Sequence, residues 1–263
     1  KYRPLIGRKV QVDTGLTVYS IGFRRDACVD CNLTPERSGF YGGFEGVDLK
    51  FYKTDDGFAT GQSAAPFPLV GGLIERMSEW IGDTVVPATD NGLIVSVDGG
   101  TSDELMVNGV FRAVRYFQDI RTFYAVGDSG AIYRSFNGLN WQVVTNTVFP
   151  DAALYDVAYD PASEQVFIVG DDAGAPVAMS LYEDALNDIT ADVGITEGIQ
   201  RVKMLAPGHI LIASIGGQMA ENCDVIKSGW TNFTLGNGSD TNVILGDRYR
   251  TFVSNGNKLW VRT

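Results

Sequence analysis

Residues 123–135 run Phe-Tyr-Ala-Val-Gly-Asp-Ser-Gly-Ala-Ile-Tyr-Arg-Ser: an aromatic and aliphatic segment, a Gly/Asp turn, and a second short segment that ends on Ser135. Gly, Asn and Asp tolerate the positive φ that tight hairpins require. The stretch therefore predicts two antiparallel strands joined by a hairpin. Similar pairs of segments occur at 167–180 and 252–263.

The hydroxyl residue that ends the second segment recurs about every 40 residues, a spacing that marks a repeat architecture. A β-type segment closes on Ser or Thr at Thr54, Ser96, Ser135, Ser180, Ser228 and Thr263. Upstream of each pair the sequence predicts a further short strand. One aligned column in that strand is aliphatic or Met throughout, at Ile21, Met77, Val114, Val157, Val202 and Ile244.

These three strands, with a weaker outer strand, predict a four-stranded antiparallel unit repeated as the blades of an all-β, six-bladed β-propeller. We place the innermost strand at the aligned column, because blades converge there and side-chain volume is limited. The Ser/Thr segment is then the third strand of each blade. Helical periodicity is poor almost everywhere, and the best helical candidate is a single turn at 181–186.

The predicted blades form one domain spanning residues 1–263. The last blade ends after three strands, so we expect residues 7–13 to supply its outer strand and close the ring, which removes two exposed sheet edges. Five blades plus an irregular N-terminal segment are the alternative, since the first repeat is the least regular. The predicted blades are 17–62 (with an insertion at 24–39), 73–108, 110–146, 153–192, 198–236 and 241–263.

Composition limits the classes of partner. The chain has 263 residues, 44% of them hydrophobic, and a formal net charge of −11. Nucleic-acid and anionic-membrane surfaces need a basic patch, so we expect neither partner. No apolar segment is long enough to span a bilayer. Three cysteines in a chain of this length do not indicate a disulfide scaffold.

Residues 135–141, Ser-Phe-Asn-Gly-Leu-Asn-Trp, resemble the Asp-box, the Ser/Thr-x-Asp-Gly-x-x-Trp hairpin of sialidase-type propellers. The same motif is found in photosystem-assembly-factor-like propellers and in phage tail proteins. The resemblance implies a structural role, in which the hydroxyl and the acid bond to the turn backbone and the aromatic ring packs beneath. The matching positions are Ser135, Asn137, Gly138 and Trp141 in the best box, Ser96, Asp98 and Gly99 in a second, and Thr54, Asp56 and Gly57 in a third.

A sialidase resemblance would also imply three arginines that grip a carboxylate, a Tyr–Glu nucleophile pair and an Asp acid. These roles cannot be assigned residue by residue, so we predict no catalytic residues. Four arginines fall on or beside inner strands: Arg76, Arg112, Arg115 and Arg201. Because buried charges must be paired, we expect these arginines to pair with Glu75, Glu79 and Asp156 of the same or adjacent strands.

Cys28-Val29-Asp30-Cys31 is a C-x-x-C pair in the insertion of the first repeat. A zinc site would need two more ligands at suitable spacing. His209 is the only histidine, and Cys223 maps to a hairpin at the opposite end of its blade. We therefore expect a loop disulfide or two free thiols here, and neither a metal ion nor a cofactor.

Five acidic or amide residues fall on equivalent hairpin tips, which predicts that they share one face. Such a ring could bind a cation or a basic partner. Asp and Asn are also the default residues of tight turns, so turn chemistry alone is the simpler interpretation. The residues are Asp90, Asp128, Asp171, Asp172 and Asn255.

Together these features predict a non-enzymatic propeller that serves as a structural or docking module and binds other proteins of an assembly. The Asp-box resemblance favours a phage tail or virion component, present as a symmetric homo-oligomer or in many copies. The alternative is a protein-binding, assembly-factor-like propeller in a periplasm, in a lumen or outside the cell. A sialidase-type glycosidase is the third hypothesis.

Overall fold

The computed structural model of the protein describes residues 16–23, 39–45, 48–54, 74–77, 84, 86–95, 104–225, 229–234, 241–246, 251–255 and 258–262. Within these residues the secondary structure is β-strand except for one short helix, α1 (Thr190–Val193). The predicted all-β class is therefore confirmed. In this part of the chain no helix has the length and apolar character needed to cross a membrane.

The strands form antiparallel sheets in which neighbours along the chain are also neighbours in the sheet. The first sheet contains β1 (Leu16–Phe23), β2 (Gly39–Glu45) and β3 (Asp48–Thr54). The second contains β4 (Ile74–Met77), β5 (Pro87–Thr89), β6 (Gly92–Val95) and β7 (Glu104–Asn108). The third contains β8 (Phe111–Phe117), β9 (Thr122–Gly127), β10 (Ile132–Ser135) and β11 (Gln142–Val143).

The second half of the chain continues this pattern. The fourth sheet contains β12 (Ala153–Asp160), β13 (Gln165–Asp172), β14 (Ala175–Tyr182) and β15 (Ala185–Asp188). The fifth contains β16 (Ile199–Ala206), β17 (His209–Ser214), β18 (Gln218–Asn222) and β19 (Thr231–Thr234). The sixth contains β20 (Thr241–Gly246), β21 (Thr251–Asn255) and β22 (Lys258–Arg262).

The sheets stack in chain order, as propeller blades do. The first strands of successive sheets contact one another, from β1 to β4, β8, β12, β16 and β20. The aligned aliphatic column lies in these strands, which are therefore the inner strands that the sequence predicts. Residues 7–13 lie outside the described residues, so the number of blades and the closure of the ring stay predictions.

The hydrophobic core lies between neighbouring sheets. Leu93 and Val95 of the second sheet pack with Phe111 and Phe123 of the third in one buried cluster. Further clusters join the third sheet to the fourth and the fourth to the fifth. The third and fourth sheets therefore bury both of their faces, which explains why their second strands, such as β9, are nearly continuous apolar segments.

Two sequence predictions of local structure are wrong. Residues 181–186 form a hairpin between β14 and β15, and its turn residues Glu183 and Asp184 have φ of 47° and 68°, the left-handed backbone of a two-residue hairpin. The third strand of the fifth sheet is β18, which ends at Asn222, whereas the sequence placed that strand at 225–228. The apolar pair at 225–226 resembled a strand, but the residues that pair with β17 are those of β18.

Asn222 takes the place that a hydroxyl residue has elsewhere. Its Oδ1 accepts the backbone N–H of Asp224 at 3.0 Å, and Ser135 Oγ accepts the backbone N–H of Asn137 at 3.3 Å, also two residues on. Short polar side chains of either type support such turns. Thr54 and Ser135 end their strands as predicted, whereas Ser180 lies inside β14, and Ser96, Ser228 and Thr263 lie outside the described residues.

Candidate functional site

Every inner strand described shifts its register at the same aligned position, two residues before the aliphatic column. In β8 the shift lies between Phe111 and Ala113, which makes Arg112 the extra residue of a β-bulge. Bulges are enriched at barrel rims and beside active sites because they redirect one side chain. The six residues at these bulge positions all carry polar groups, and they are Tyr19, Glu75, Arg112, Tyr155, Gln200 and Asn242.

The bulge positions lie at the end of the sheets that carries the hairpins between second and third strands. This follows from antiparallel pairing, because an inner strand begins where the second strand ends. We call this end the tip face, and the opposite end the box face. The structure places the five predicted hairpin residues on the tip face: Asp90 after β5, Asp128 after β9, Asp171 and Asp172 at the end of β13, and Asn255 at the end of β21.

Arg112 and Asp128 form a two-pronged ion pair on the tip face. Arg112 Nε and Nη2 each donate to one carboxylate oxygen of Asp128 at 2.9 Å. The two side chains remain 30% and 33% exposed, so a partner can reach both. The guanidinium also lies 6.0 Å from the ring centroid of Tyr155, within the range of cation–π attraction. The bulge residue of β8 is therefore held against that of β12.

Tyr155 continues this chain of contacts to Asp171. Burial is the largest cause that raises the pKa of Tyr155, and its hydrogen bond to Asp171 and the charge of that carboxylate raise the pKa further. The phenol of Tyr155 therefore keeps its proton to a higher pH than an exposed tyrosine does. Asp171 Oδ1 also accepts the Gly174 N–H at 3.2 Å within its own hairpin, while the neighbouring Asp172 is exposed.

Glycines fix two of these acids above the inner strands. A Cβ on Gly127 would lie 2.0 Å from the carbonyl oxygen of Val110, and one on Gly170 would lie 2.1 Å from that of Ala153. Only glycine permits so close an approach of two backbones. The repeated Gly-Asp dipeptides at 127–128 and 170–171 therefore position a carboxylate beside each bulge, a signal that the sequence carries.

The turn at 135–141 on the box face has the contacts that the resemblance implies. Ser135 Oγ accepts the Gly138 N–H at 2.9 Å, and Asn137 Oδ1 accepts the N–H groups of Leu139 and Asn140 at 3.0 and 2.9 Å. Trp141 Nε1 donates to the Gly138 carbonyl at 2.7 Å. All of these contacts lie within the turn itself. Asp56, Gly57, Asp98 and Gly99 lie outside the described residues.

The predicted pairing of the arginines is confirmed for Arg115, which bonds to Asp156 of the adjacent inner strand at 3.0 Å. Arg112 pairs with Asp128 of its own hairpin tip, a partner that the sequence did not predict. Its predicted pairing with Glu75 or Glu79 stays a prediction. Arg201 Nη1 donates to the carbonyl oxygen of Gln200 at 2.8 Å. The side chains of Glu75, Arg76 and Glu79 lie outside the described residues.

A cavity of about 370 Å³ lies beside the later residues of β8, β12 and β16. Its lining includes the charged groups of Arg115, Asp119 and Lys203. Glycosidases place two carboxyl groups on either side of the scissile bond. Among the described residues this cavity has one acid, Asp119, on its wall. The glycosidase hypothesis stays a prediction.

His209 and Cys223 lie together, although the sequence placed Cys223 at the opposite end of its blade. His209 begins β17, and Cys223 follows Asn222, whose partner across the ladder is Ile210. His209 Nε2 lies 3.7 Å from Cys223 Sγ and 2.6 Å from Glu221 Oε1. The error follows from the misplaced third strand, which reversed the end of the sheet to which Cys223 belongs. Cys28 and Cys31 lie outside the described residues.

Comparison with known proteins bears on the fold. No protein-family model matches the sequence, and no curated protein matches it either. A solved structure described as YCF48 bound to D1 peptide is similar over 96% of this chain and 95% of its own, with a TM-score of 0.52 and 15% identity. The GH74 enzyme of Niastella koreensis is similar over 93% of this chain, with a TM-score of 0.71 and 13% identity.

A third similar structure is the extracellular domain of a one-component system from B. thetaiotaomicron, which matches 91% of this chain with a TM-score of 0.64 and 10% identity. The chain spans 44% of the GH74 enzyme and 32% of the one-component system. At such identities the likeness shows the fold alone. This likeness and the stacked antiparallel sheets define the class of protein. The protein is a β-propeller.

Proposed function

We propose that the protein is a non-enzymatic binding module that docks another protein across its tip face. The observation that carries the proposal is the shared β-bulge of the inner strands, which brings a polar residue to the same end of every sheet, from Tyr19 to Asn242. A regular register shift at one end suits a recognition surface, because bulges redirect side chains at binding rims. The full-length likeness to a propeller bound to a peptide supports the same use.

The chemistry of the tip face favours a partner segment with basic residues. Asp90, Asp128, Asp171 and Asp172 lie there, and Asp128 is paired with Arg112. The net charge of −11 adds a long-range field of the same sign. Electrostatic complementarity of this kind raises association rates and weakens with salt.

We place this function in an extracytoplasmic compartment, in keeping with the likeness to an extracellular domain. The assembly-factor-like hypothesis is thus the one that the structure and the comparisons favour. The phage tail or virion role, with its multiple symmetric copies, stays a prediction from the Asp-box resemblance. No solved structure named above corresponds to it.

Site-specific photo-cross-linking in the cells that make the protein tests the proposal. A benzophenone amino acid replaces Asp151, an exposed residue just before β12 on the tip face, and in a matched variant it replaces Asn140, which is exposed on the box face. We expect a discrete partner to be cross-linked from position 151 and not from position 140. Asp171→Asn with Asp172→Asn should reduce that product several-fold.

Cross-linking from position 140 alone would contradict docking at the tip face. So would a product at position 151 that the double variant leaves unchanged. Turnover of aryl glycosides by the purified protein would contradict its non-enzymatic character, whichever position is cross-linked.

A further inference from the structure

Three side chains with different metal-binding atoms meet on the box face of the fifth sheet. The Nε2 of His209, a carboxylate oxygen of Glu221 and the Sγ of Cys223 all lie within 4.8 Å of one another. Glu221 is buried at 5% exposure, His209 is partly buried, and Cys223 is an exposed free thiol. A buried carboxylate, a partly buried imidazole and an exposed thiol therefore form one cluster of O, N and S donors.

The backbone that carries these residues is held by a set of hydrogen bonds. Gly208, which precedes His209 with φ of 74°, donates its N–H to Asp160 of the neighbouring sheet at 2.7 Å. Its carbonyl oxygen accepts the N–H of Val225 at 2.9 Å, which ties the segment after Cys223 to the segment before His209. These bonds hold the backbone before His209 and the backbone after Cys223 in place. Asp160, the acceptor in the neighbouring sheet, is fully buried.

We infer that His209, Glu221 and Cys223 bind a divalent zinc ion. Zinc accepts imidazole nitrogen, carboxylate oxygen and thiolate sulfur in a tetrahedral arrangement, whereas magnesium and calcium prefer oxygen alone. At the tetrahedral angle, bond lengths of about 2.3 Å to sulfur and about 2.0 Å to nitrogen place those two atoms about 3.5 Å apart. The observed separation of Sγ and Nε2 is 3.7 Å.

One distance must change when the ion binds. His209 Nε2 and Glu221 Oε1 lie 2.6 Å apart, a hydrogen-bond distance, and two zinc ligands of this kind lie about 3.3 Å apart. The ion takes the place of the shared proton, so the imidazole carries its proton on Nδ1 and the thiol of Cys223 releases its own. Three protein ligands leave a fourth position for water or for a group of a partner.

The chain offers a direct test, because His209 is its only histidine and Cys223 is one of three cysteines. Co²⁺ is titrated into the full chain carrying Cys28→Ser and Cys31→Ser, so that only Cys223 can supply a thiolate. We expect a thiolate-to-cobalt charge-transfer band in the near ultraviolet at one equivalent, with the visible bands of tetrahedral Co²⁺. Added Zn²⁺ should abolish both by displacement.

Variants of the ligands complete the experiment in the same background. Cys223→Ser should remove the charge-transfer band. His209→Gln and Glu221→Gln should each weaken Zn²⁺ binding by at least about 10–100-fold. Mutation of residues that only hydrogen-bond to a metal ligand already costs that much affinity, and loss of a ligand should cost no less. Asp224→Asn, which removes an acid next to the cluster, is the matched control and should bind as the parent does.

The Co²⁺ titration of the Cys28→Ser, Cys31→Ser protein tests the inference even if a ligand variant fails to fold. The absence of a charge-transfer band in the Cys28→Ser, Cys31→Ser protein would overturn it. A band that persists in Cys223→Ser, or equal loss of affinity in Asp224→Asn, would do the same. Because the cluster lies on the box face, its failure leaves docking at the tip face untouched.

Discussion

The carboxylate of Asp156 on β12 holds the guanidinium of Arg115 on β8 through three contacts of 3.0–3.3 Å. Asp156 is buried at 1% exposure. It also accepts the backbone N–H groups of Val157 at 2.9 Å and of Val202, on β16, at 3.3 Å. One carboxylate thus joins the inner strands of three successive sheets.

Replacing Asp156 should therefore destabilise the propeller strongly. Asp156→Ala removes the acceptor of these contacts with Arg115, Val157 and Val202, and removal of one partner of a buried pair costs about 3–5 kcal/mol. Because Arg115 is 30% exposed, we expect a value near the lower limit. Urea unfolding followed by tryptophan fluorescence measures the change. Asp172→Ala, at an exposed acid, is the control and should alter stability by less than about 0.5 kcal/mol.

The Asn in the turn at 135–141 offers a stabilising substitution. Asn137→Asp should strengthen the bonds that its side-chain oxygen accepts from Leu139 and Asn140, since charge-assisted hydrogen bonds are stronger than neutral ones. We expect a gain of about 0.5 kcal/mol at this exposed turn. The melting temperature should rise at low salt, whereas Asn140→Asp, which adds the same charge three residues away, should leave it unchanged or lower it.

The hydroxyl of Ser135 should matter more than the amide of Asn137. Ser135→Ala leaves the buried N–H of Gly138 without its acceptor, which costs about 1–3 kcal/mol. Ser135→Thr retains the hydroxyl and should recover most of the loss. Equal destabilisation by Ala and Thr, measured by urea unfolding, would mean that packing of the side chain and not the hydrogen bond is responsible.

The raised pKa of Tyr155 gives a pH dependence with a defined sign. The folded protein holds the phenol proton more tightly than the unfolded chain does. In the unfolded chain the pKa of this tyrosine is near 10.0. Stability is therefore unaffected below about pH 10 and falls as the pH rises, because the unfolded state loses its proton first. Unfolding measured between pH 8 and about pH 11 should show this decline. Tyr155→Phe should reduce its slope.

The titration of Tyr155 also tests its interaction with Asp171. Asp171→Asn removes a charge that raises the pKa of Tyr155, so an ultraviolet titration should show this phenol ionising at lower pH. Part of the elevation should remain, since burial is its largest cause. Asp188→Asn, an acid that instead bonds to the N–H of Thr190, is the control. An unchanged titration in Asp171→Asn would contradict the hydrogen bond between Tyr155 and Asp171.

The glycine before Asp128 should tolerate no side chain. Gly127→Ala brings a Cβ against the Val110 carbonyl, and backbone must move to relieve the clash. We expect a loss of about 1–3 kcal/mol, the usual cost of overpacking. Gly174→Ala is the comparison, because nothing lies within 4 Å of its Cβ and only its φ of 89° is unfavourable. Equal losses in the two variants would show that steric contact at Gly127 is not the cause.

The parts of the fold that the sequence predicted correctly are those that depend on residues close together in the chain. The turn residues and apolar segments placed β9, β10 and β13 correctly, since hairpins depend on neighbouring residues. The aligned aliphatic column was also correct, and the common bulge two residues before it shows that the alignment holds to the residue. In the fifth sheet Asn222 takes the place of the hydroxyl residue, so the Ser/Thr spacing predicted the third strand at the wrong position.

The sequence by itself determined the repeat, the all-β class and the hairpin acids of the tip face, because each follows from spacing and turn chemistry within one hairpin. Only the tertiary structure decided that Arg112 pairs with Asp128, that Asp156 reaches Val202, and that His209, Glu221 and Cys223 meet. Those contacts depend on strand register and on how sheets stack. A shift of one residue turns a side chain to the other face of its strand, so residues distant in the chain become neighbours only when the register is known.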